Sequence, residues 1–215
     1  MAEDADAWRR LPTATVSDCL DRLQALDGAI RRLAGEGVAG RAFTVETAAG
    51  DSATVHRALA DAPPGSVLVV DAGGHTRRAV WGGVLTAAAR HRDVRGLVLD
   101  GVVRDLADLR EQRFPVFARG ACPAGPHKGF RGRWGHPVAC GGVVVHSGDL
   151  VLGDADGVVV VPAAAVDGLA AAVARRRATE RRWLDGIARG VSTTRLLGLT
   201  GPVPDDAVRP ADDPA

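Results

Sequence analysis

The run Ser66-Val67-Leu68-Val69-Val70 is apolar at four consecutive positions, with no polar alternation. A strand with one wet face alternates. A strand covered on both faces, as in a parallel sheet under helices, does not. A second such run, Gly96 to Leu99, follows. The stretch between them, Arg78 to His91, has helical spacing interrupted by Gly82 and Gly83. Strand, helix and strand in that order predict an α/β fold with neighbouring parallel strands.

The rest of the chain extends this pattern. Val16, Cys19, Leu20 and Leu23 are spaced three and four apart and predict a helix over Thr15 to Leu26, ended by Gly28. Arg41 to Thr47 reads as a strand, and Ala53 to Ala60 as a helix closed by Pro63-Pro64-Gly65. Asp71-Ala72-Gly73-Gly74 is expected to break the chain after the first apolar run. Leu106 to Gln112 reads as a helix and Pro115 to Ala118 as a strand. The segment Cys122 to Gly142 is rich in Gly, Pro and His and too long for a passive connector, so a functional or interface role is expected. Val143–Val145, Leu150–Leu152 and Val158–Val161 follow as short strands, the last two joined by the tight turn Asp154-Ala155-Asp156-Gly157. That turn lacks the later acidic residue of a calcium loop. A long helix is expected over Ala163 to Ala188. Residues 1–200 thus read as a single α/β domain with a mixed sheet and a long C-terminal helix, and 201–215, rich in Pro and Asp, as a flexible tail.

Composition excludes several classes of function. The formal net charge is +1, so there is no electrostatic footprint for nucleic acid. The basic run Arg175 to Arg182 is interrupted by Glu180 and reads as the solvated face of a helix. No secretory signal opens the sequence, and no run reaches the roughly 18 apolar residues of a membrane span, which gives a cytoplasmic expectation. Cys19, Cys122 and Cys140 are odd in number and lack CxxC spacing, as for reduced thiols. Cys122 and Cys140 with His127 and His136 match no standard zinc spacing.

The second apolar run leads directly into Gly101-Val102-Val103-Arg104-Asp105. An arginine and a carboxylate are therefore delivered at the exit of a buried strand, where open α/β sheets place ligand chemistry. Asp coordinates hard cations through oxygen, and Arg grips a carboxylate with parallel hydrogen bonds. An ordinary ion pair at a helix start is the other reading. The glycines from Gly73-Gly74 through Gly82-Gly83-Val84-Leu85 are expected to converge on the same place and to offer backbone amides to an anion. Gly73-Gly74 is not a GxGxxG fingerprint, and no P-loop Lys-Ser/Thr follows it.

Taken together, Gly73-Gly74, Ala79 to Leu85, Gly96 to Asp105, Gly148-Asp149-Leu150 and Asp154 to Pro162 resemble the RraA-like family, as does the opening with Val16-Ser17-Asp18. The resemblance runs over about Leu11 to Leu199. That family contains 4-hydroxy-4-methyl-2-oxoglutarate aldolases, which also decarboxylate oxaloacetate, and regulators of ribonuclease activity. The resemblance implies a swivelling β/β/α fold and self-association as trimers or hexamers. It implies that Arg104 contacts substrate, that Asp105 binds Mg²⁺ (or Mn²⁺), and that Gly82, Gly83, Val84 and Leu85 hold the pyruvyl carboxylate. It also implies that Glu180 of a neighbouring subunit approaches the metal's water shell; a surface Glu among arginines is the alternative. The family's aldolases carry an acidic residue where this chain has Gly83. A histidine could substitute for it, and His75, His127 and His136 are the candidates. The expected function is a metal-dependent lyase that cleaves a small 2-oxo dicarboxylic acid to pyruvate. A non-catalytic regulatory protein, or altered chemistry at the same metal site, is the alternative.

Overall fold

In the computed structural model, which describes residues 5–199 and Gly201, the apolar runs are adjacent strands of one curled mixed sheet. In chain order the elements are α1 (Ala5–Arg9), α2 (Thr13–Asp18), β1 (Arg31–Ala34), β2 (Val38–Glu46), α3 (Ala53–Asp61), β3 (Ser66–His75), α4 (Gly83–His91), β4 (Gly96–Val103) and α5 (Leu106–Glu111). They continue with β5 (Val116–Ala121), β6 (Arg133–Trp134), β7 (Val138–Cys140), β8 (Val143–Val145), β9 (Leu150–Gly153), β10 (Val158–Val161), α6 (Leu169–Ala188) and α7 (Thr193–Leu196). The sheet order is β1-β5-β4-β3-β2-β9-β10, with β6 also on β2, and β7–β8 form a separate hairpin. Strands β2 to β5 are parallel neighbours; β1, β6, β9 and β10 are antiparallel. This is the mixed α/β architecture that the sequence predicts. The chain divides into two compact units after Val173, and the sheet lies wholly in the first.

Burial follows the strand pattern. Residues Leu68, Val70, Leu97 and Leu99 face one core, shared with Val55 and Leu59 of α3, Leu85 of α4 and Leu109 of α5. The alternate residues Val67, Val69 and Val98 face a second core with Phe117 and with Val138, Cys140, Val143 and Val145 of the hairpin. Two covered faces explain why the runs do not alternate.

Several boundaries differ from the sequence expectation. The first helix stops at Asp18 rather than Leu26. Asp21 and Arg22 adopt left-handed φ values of 55° and 64°. The chain then pairs with β10, where Leu26 N–H donates to the Val158 carbonyl and Val160 N–H to the Gln24 carbonyl. Leu23, assigned to the apolar helix face, is 75% exposed. Strand pairing satisfies backbone groups that another helical turn would have used, so tertiary context overrides local periodicity. Strand β3 does not end at Asp71; it runs on to His75, with Gly73 and Gly74 at φ 65° and 67°. The register against β4 shifts between Asp71 and His75, so these glycines make a bulge in place of a break. The expected 26-residue helix from Ala163 is a short 3₁₀ turn, Ala163–Ala165, and then α6, separated by Gly168 at φ 81°. The expected tail lies outside the described residues beyond Gly201.

Candidate active site

The site is made by an irregular pairing at the exit of β4. Residues 79–81, expected in the helix, instead run beside the end of that strand, with Trp81 bridged to Val103. Val80 N–H donates to the Val102 carbonyl at 3.2 Å, and Arg104 N–H donates to the Trp81 carbonyl at 2.9 Å. Trp81 is locked in place: its Nε1–H donates to Thr86 Oγ1 at 2.8 Å, and its ring stacks on Phe114 with centroids 6.2 Å apart. Helix α4 therefore begins only at Gly83, and its first turn is delivered beside Arg104 and Asp105.

Asp105 has left-handed backbone angles, φ 59° and ψ 41°, a conformation that costs a non-glycine residue about 1–3 kcal/mol and is held by its surroundings. Its carboxylate does not cap α5, the helix it precedes. It reaches across to α4, where Oδ2 accepts Gly83 N–H at 3.0 Å and lies 3.5 Å from Arg104 Nε. Oδ1 makes no hydrogen bond among the described residues. Glycine makes this close approach possible. A Cβ on Gly82 would stand 2.5 Å from Asp105 Oδ2 and 3.0 Å from Arg104 Cγ, and one on Gly125 would stand 2.8 Å from Arg104 Nη1. The next two amides, Val84 and Leu85, fall in the first turn of α4, where no intrahelical acceptor exists and the helix dipole favours an anion.

Gly83 has room for a side chain, since a Cβ there would lie 3.6 Å from Asp108 Oδ2 and 3.8 Å from Asp105 Oδ2. The sequence reading did not single out Asp108. The available signal was its position three residues after Asp105, one turn along the same helical face.

The cleft holds about 440 Å³, its open mouth included, and Val80, Trp81 and Leu85 form its apolar lining. Its other polar groups come from Ser52 and His56 at the start of α3 and from Lys128. Asp51 fixes that wall. Fully buried, it accepts Ala53 N–H at 2.8 Å through Oδ1, and Gly129 and Phe130 N–H at 2.7 and 3.1 Å through Oδ2. Burial alone would raise its pKa, but the three backbone donors hold it below the ordinary carboxylate value. The long Cys122–Gly142 segment reaches the cleft, where its Pro126 and Lys128 form part of the lining, while β6 and β7 within it join the sheet and the hairpin.

None of the three expected histidines lines the cleft. His75 ends β3 with a buried Nε2 that has no hydrogen-bond partner among the described residues. His127 packs edge-on against Phe130 at 6.5 Å, and the carbonyl of His136 accepts Thr44 Oγ1 at 2.6 Å. The cleft histidine is His56, which the sequence reading passed over as part of a short helix. Gly73-Gly74 also lies elsewhere, with Gly74 beside the Arg119–Asp100 ion pair. Glu180 belongs to the C-terminal unit, where Arg176 Nε lies 3.2 Å from its Oε1 and the Arg176 guanidinium sits 5.1 Å from the Trp183 ring centroid.

The donor chemistry suits a hard cation with a large water shell. Asp105 offers an uncommitted oxygen. Among the described residues no three His, Cys, Asp or Glu side chains converge as a metal cage. A cation here would keep most of its waters, as Mg²⁺ does and structural zinc does not. Cys140 is no thiolate ligand, because burial, then the nearby Asp100 and Asp71, push its pKa strongly upward.

Residues 13–160 match the RraA-like family model, described as Aldolase/RraA. The chain belongs to the RraA-like family. A Halalkalibacterium halodurans protein provisionally named as a 4-hydroxy-4-methyl-2-oxoglutarate aldolase is 40% identical over 156 residues, 72% of this chain and 74% of that protein. A Thermus thermophilus protein named 4-hydroxy-4-methyl-2-oxoglutarate aldolase is 34% identical over 151 residues, covering 70% and 92%. The solved structure of the RNA-processing inhibitor RraA from Thermus thermophilus superposes with a TM-score of 0.65 at 34% identity, covering 70% of this chain and 92% of that one. RraA-like relatives of this chain thus carry both an aldolase name and the name of an RNA-processing inhibitor. No helix among the described residues is long and apolar enough to cross a membrane.

Proposed function

We propose that this RraA-like protein is a divalent-metal-dependent lyase that cleaves a carbon–carbon bond of a small 2-oxo dicarboxylic acid and releases pyruvate. The substrates are 4-hydroxy-4-methyl-2-oxoglutarate, cleaved by retro-aldol reaction, and oxaloacetate, which loses CO₂. The observation that carries the reading is the convergence at one cleft of Arg104, the free oxygen of Asp105 and the first-turn amides of α4. Arg104 grips the pyruvyl carboxylate, and the Val84 and Leu85 amides donate to its second oxygen. Asp105 holds Mg²⁺ or Mn²⁺, which when bound supplies the Lewis acidity that stabilises charge on the keto oxygen. Trp81 and Leu85 give the cleft an apolar wall, which strengthens the electrostatic contribution of Arg104. Self-association as a trimer or hexamer, with Glu180 of a neighbouring copy near the metal's waters, belongs to the same proposal.

The test is pyruvate release from each acid by purified protein, with Mg²⁺ and with chelator, after subtraction of the metal-only rate. Chelator-sensitive release that disappears in folded Asp105→Ala is the expected result. Full activity in that variant removes the assigned site. The vacancy of side chain at Gly83, together with the relative named as an RNA-processing inhibitor, favours a regulatory reading if folded wild-type protein releases no pyruvate from either acid.

A further inference from the structure

We infer that His56 is the catalytic acid–base of this cleft, taking a proton from the substrate and returning it; the inference rests on the lyase reading above. Helix α3 places Ser52 and His56 four residues apart on one face, and both line the cleft that Arg104 and Asp105 also line. Ser52 is 1% exposed, yet its Oγ has no hydrogen-bond partner among the described residues. A buried hydroxyl at the wall of an open cleft awaits a polar partner, which marks this wall as a place where ligand atoms sit. Asp105 holds Gly83 N–H and lies against Arg104, so the pair is engaged in binding. His56 is the imidazole among the cleft-lining residues.

The charged groups that line the cleft together with that imidazole are Lys128 from the segment after β5, and Arg104 and Asp105 from the end of β4. Partial desolvation of this otherwise exposed imidazole, and then Lys128, lower the pKa of His56 below its ordinary value, so it is neutral and able to take a proton near pH 7. In the retro-aldol step the imidazole takes the proton of the C4 hydroxyl. The O–H electron pair becomes the new C=O, the C3–C4 bond breaks, and its electrons form the enolate of pyruvate. The imidazolium then returns the same proton to C3, which becomes the methyl group, so no proton is gained or lost. With oxaloacetate, CO₂ leaves and the imidazolium, loaded from water, protonates C3.

The experiment compares wild type, His56→Ala and His56→Gln in Mg²⁺-dependent cleavage of 4-hydroxy-4-methyl-2-oxoglutarate between about pH 5.5 and 8.5, the range over which a histidine titrates. The expected loss in kcat/KM is about 10²- to 10⁴-fold, the usual contribution of a general acid–base. The acid limb of the profile disappears, and free imidazole partly restores His56→Ala. A folded His56→Gln with wild-type kcat/KM and an unchanged profile overturns the inference. A second readout is the His56 ring-proton NMR signal of wild type titrated with oxalate in Mg²⁺. A shift in its position and pKa supports contact with bound acid; an unmoved signal at saturation overturns it. If wild type releases no pyruvate, the lyase reading has failed on its own, and the oxalate titration still decides whether His56 meets a bound acid.

Discussion

At the scale of single residues, Gly82 and Gly83 do different work although they are adjacent. Gly82 is extended, so its conformation suits any residue, and only the space it leaves is needed. A methyl group there meets the carboxylate oxygen of Asp105 and the Cγ and Nε of Arg104, side-chain atoms that can shift. Gly82→Ala is therefore expected to fold with a small loss in Tm but to displace the pair, lowering pyruvate release about 100-fold, the scale of a misplacement near one ångström. Gly83→Asp, by contrast, fits: its Cβ makes ordinary contacts, an acidic residue suits a helix N-terminus, and replacing glycine in a helix is favourable by itself. Its Tm is expected to hold or rise, with the new carboxylate beside Asp105 and Asp108. Thermal melts alongside pyruvate assays separate the two cases, and a Gly82→Ala variant with wild-type turnover would show that the close approach is unimportant.

At the scale of elements, the cleft depends on a loop tied to a helix start. Asp51 joins the first turn of α3 to residues 129–130, and so fixes Ser52 and His56 relative to Lys128. Asp51→Asn loses an ionised acceptor and one or two of its bonds, an expected cost of about 2 kcal/mol. The pH dependence has a definite sign. The folded pKa of Asp51 lies below its ordinary value, so its contribution is complete above that ordinary value and is lost as pH falls through the folded pKa. The stability gap between wild type and Asp51→Asn in denaturant titrations is expected to narrow as pH falls from about 7 toward 3, because Asp51 begins to protonate; a constant gap would assign the tie to something other than charge.

At the scale of the whole molecule, self-association is the remaining expectation. Val84, beside the cleft, is 76% exposed, and Phe130, next to the Asp51 tie, is 58% exposed. Exposed large apolar side chains, one lining the cleft and one beside the Asp51 tie, suit coverage by a second copy. Light scattering is expected to give a trimer or hexamer, and a monomer would remove Glu180 as a group that a neighbouring subunit contributes.

What could be read without coordinates was whatever depends on short-range pattern. The apolar runs at Ser66–Val70 and Gly96–Leu99 specify doubly covered strands, because burial on both faces removes alternation. Arg104 and Asp105 follow from being at the exit of one of them, and the order of elements specifies an α/β fold. What depended on distant partners was decided only in three dimensions. Periodicity assigned residues 79–81 and 19–26 to helices, but the end of β4 and the edge strand β10 offered them hydrogen bonds instead. His56 and Ser52 carry no local signature, since a short amphipathic helix reads the same whether its open side meets solvent or a cleft. Their place beside Arg104 and Asp105 comes from β2 pairing with β3 and β3 with β4, contacts that no sequence window contains.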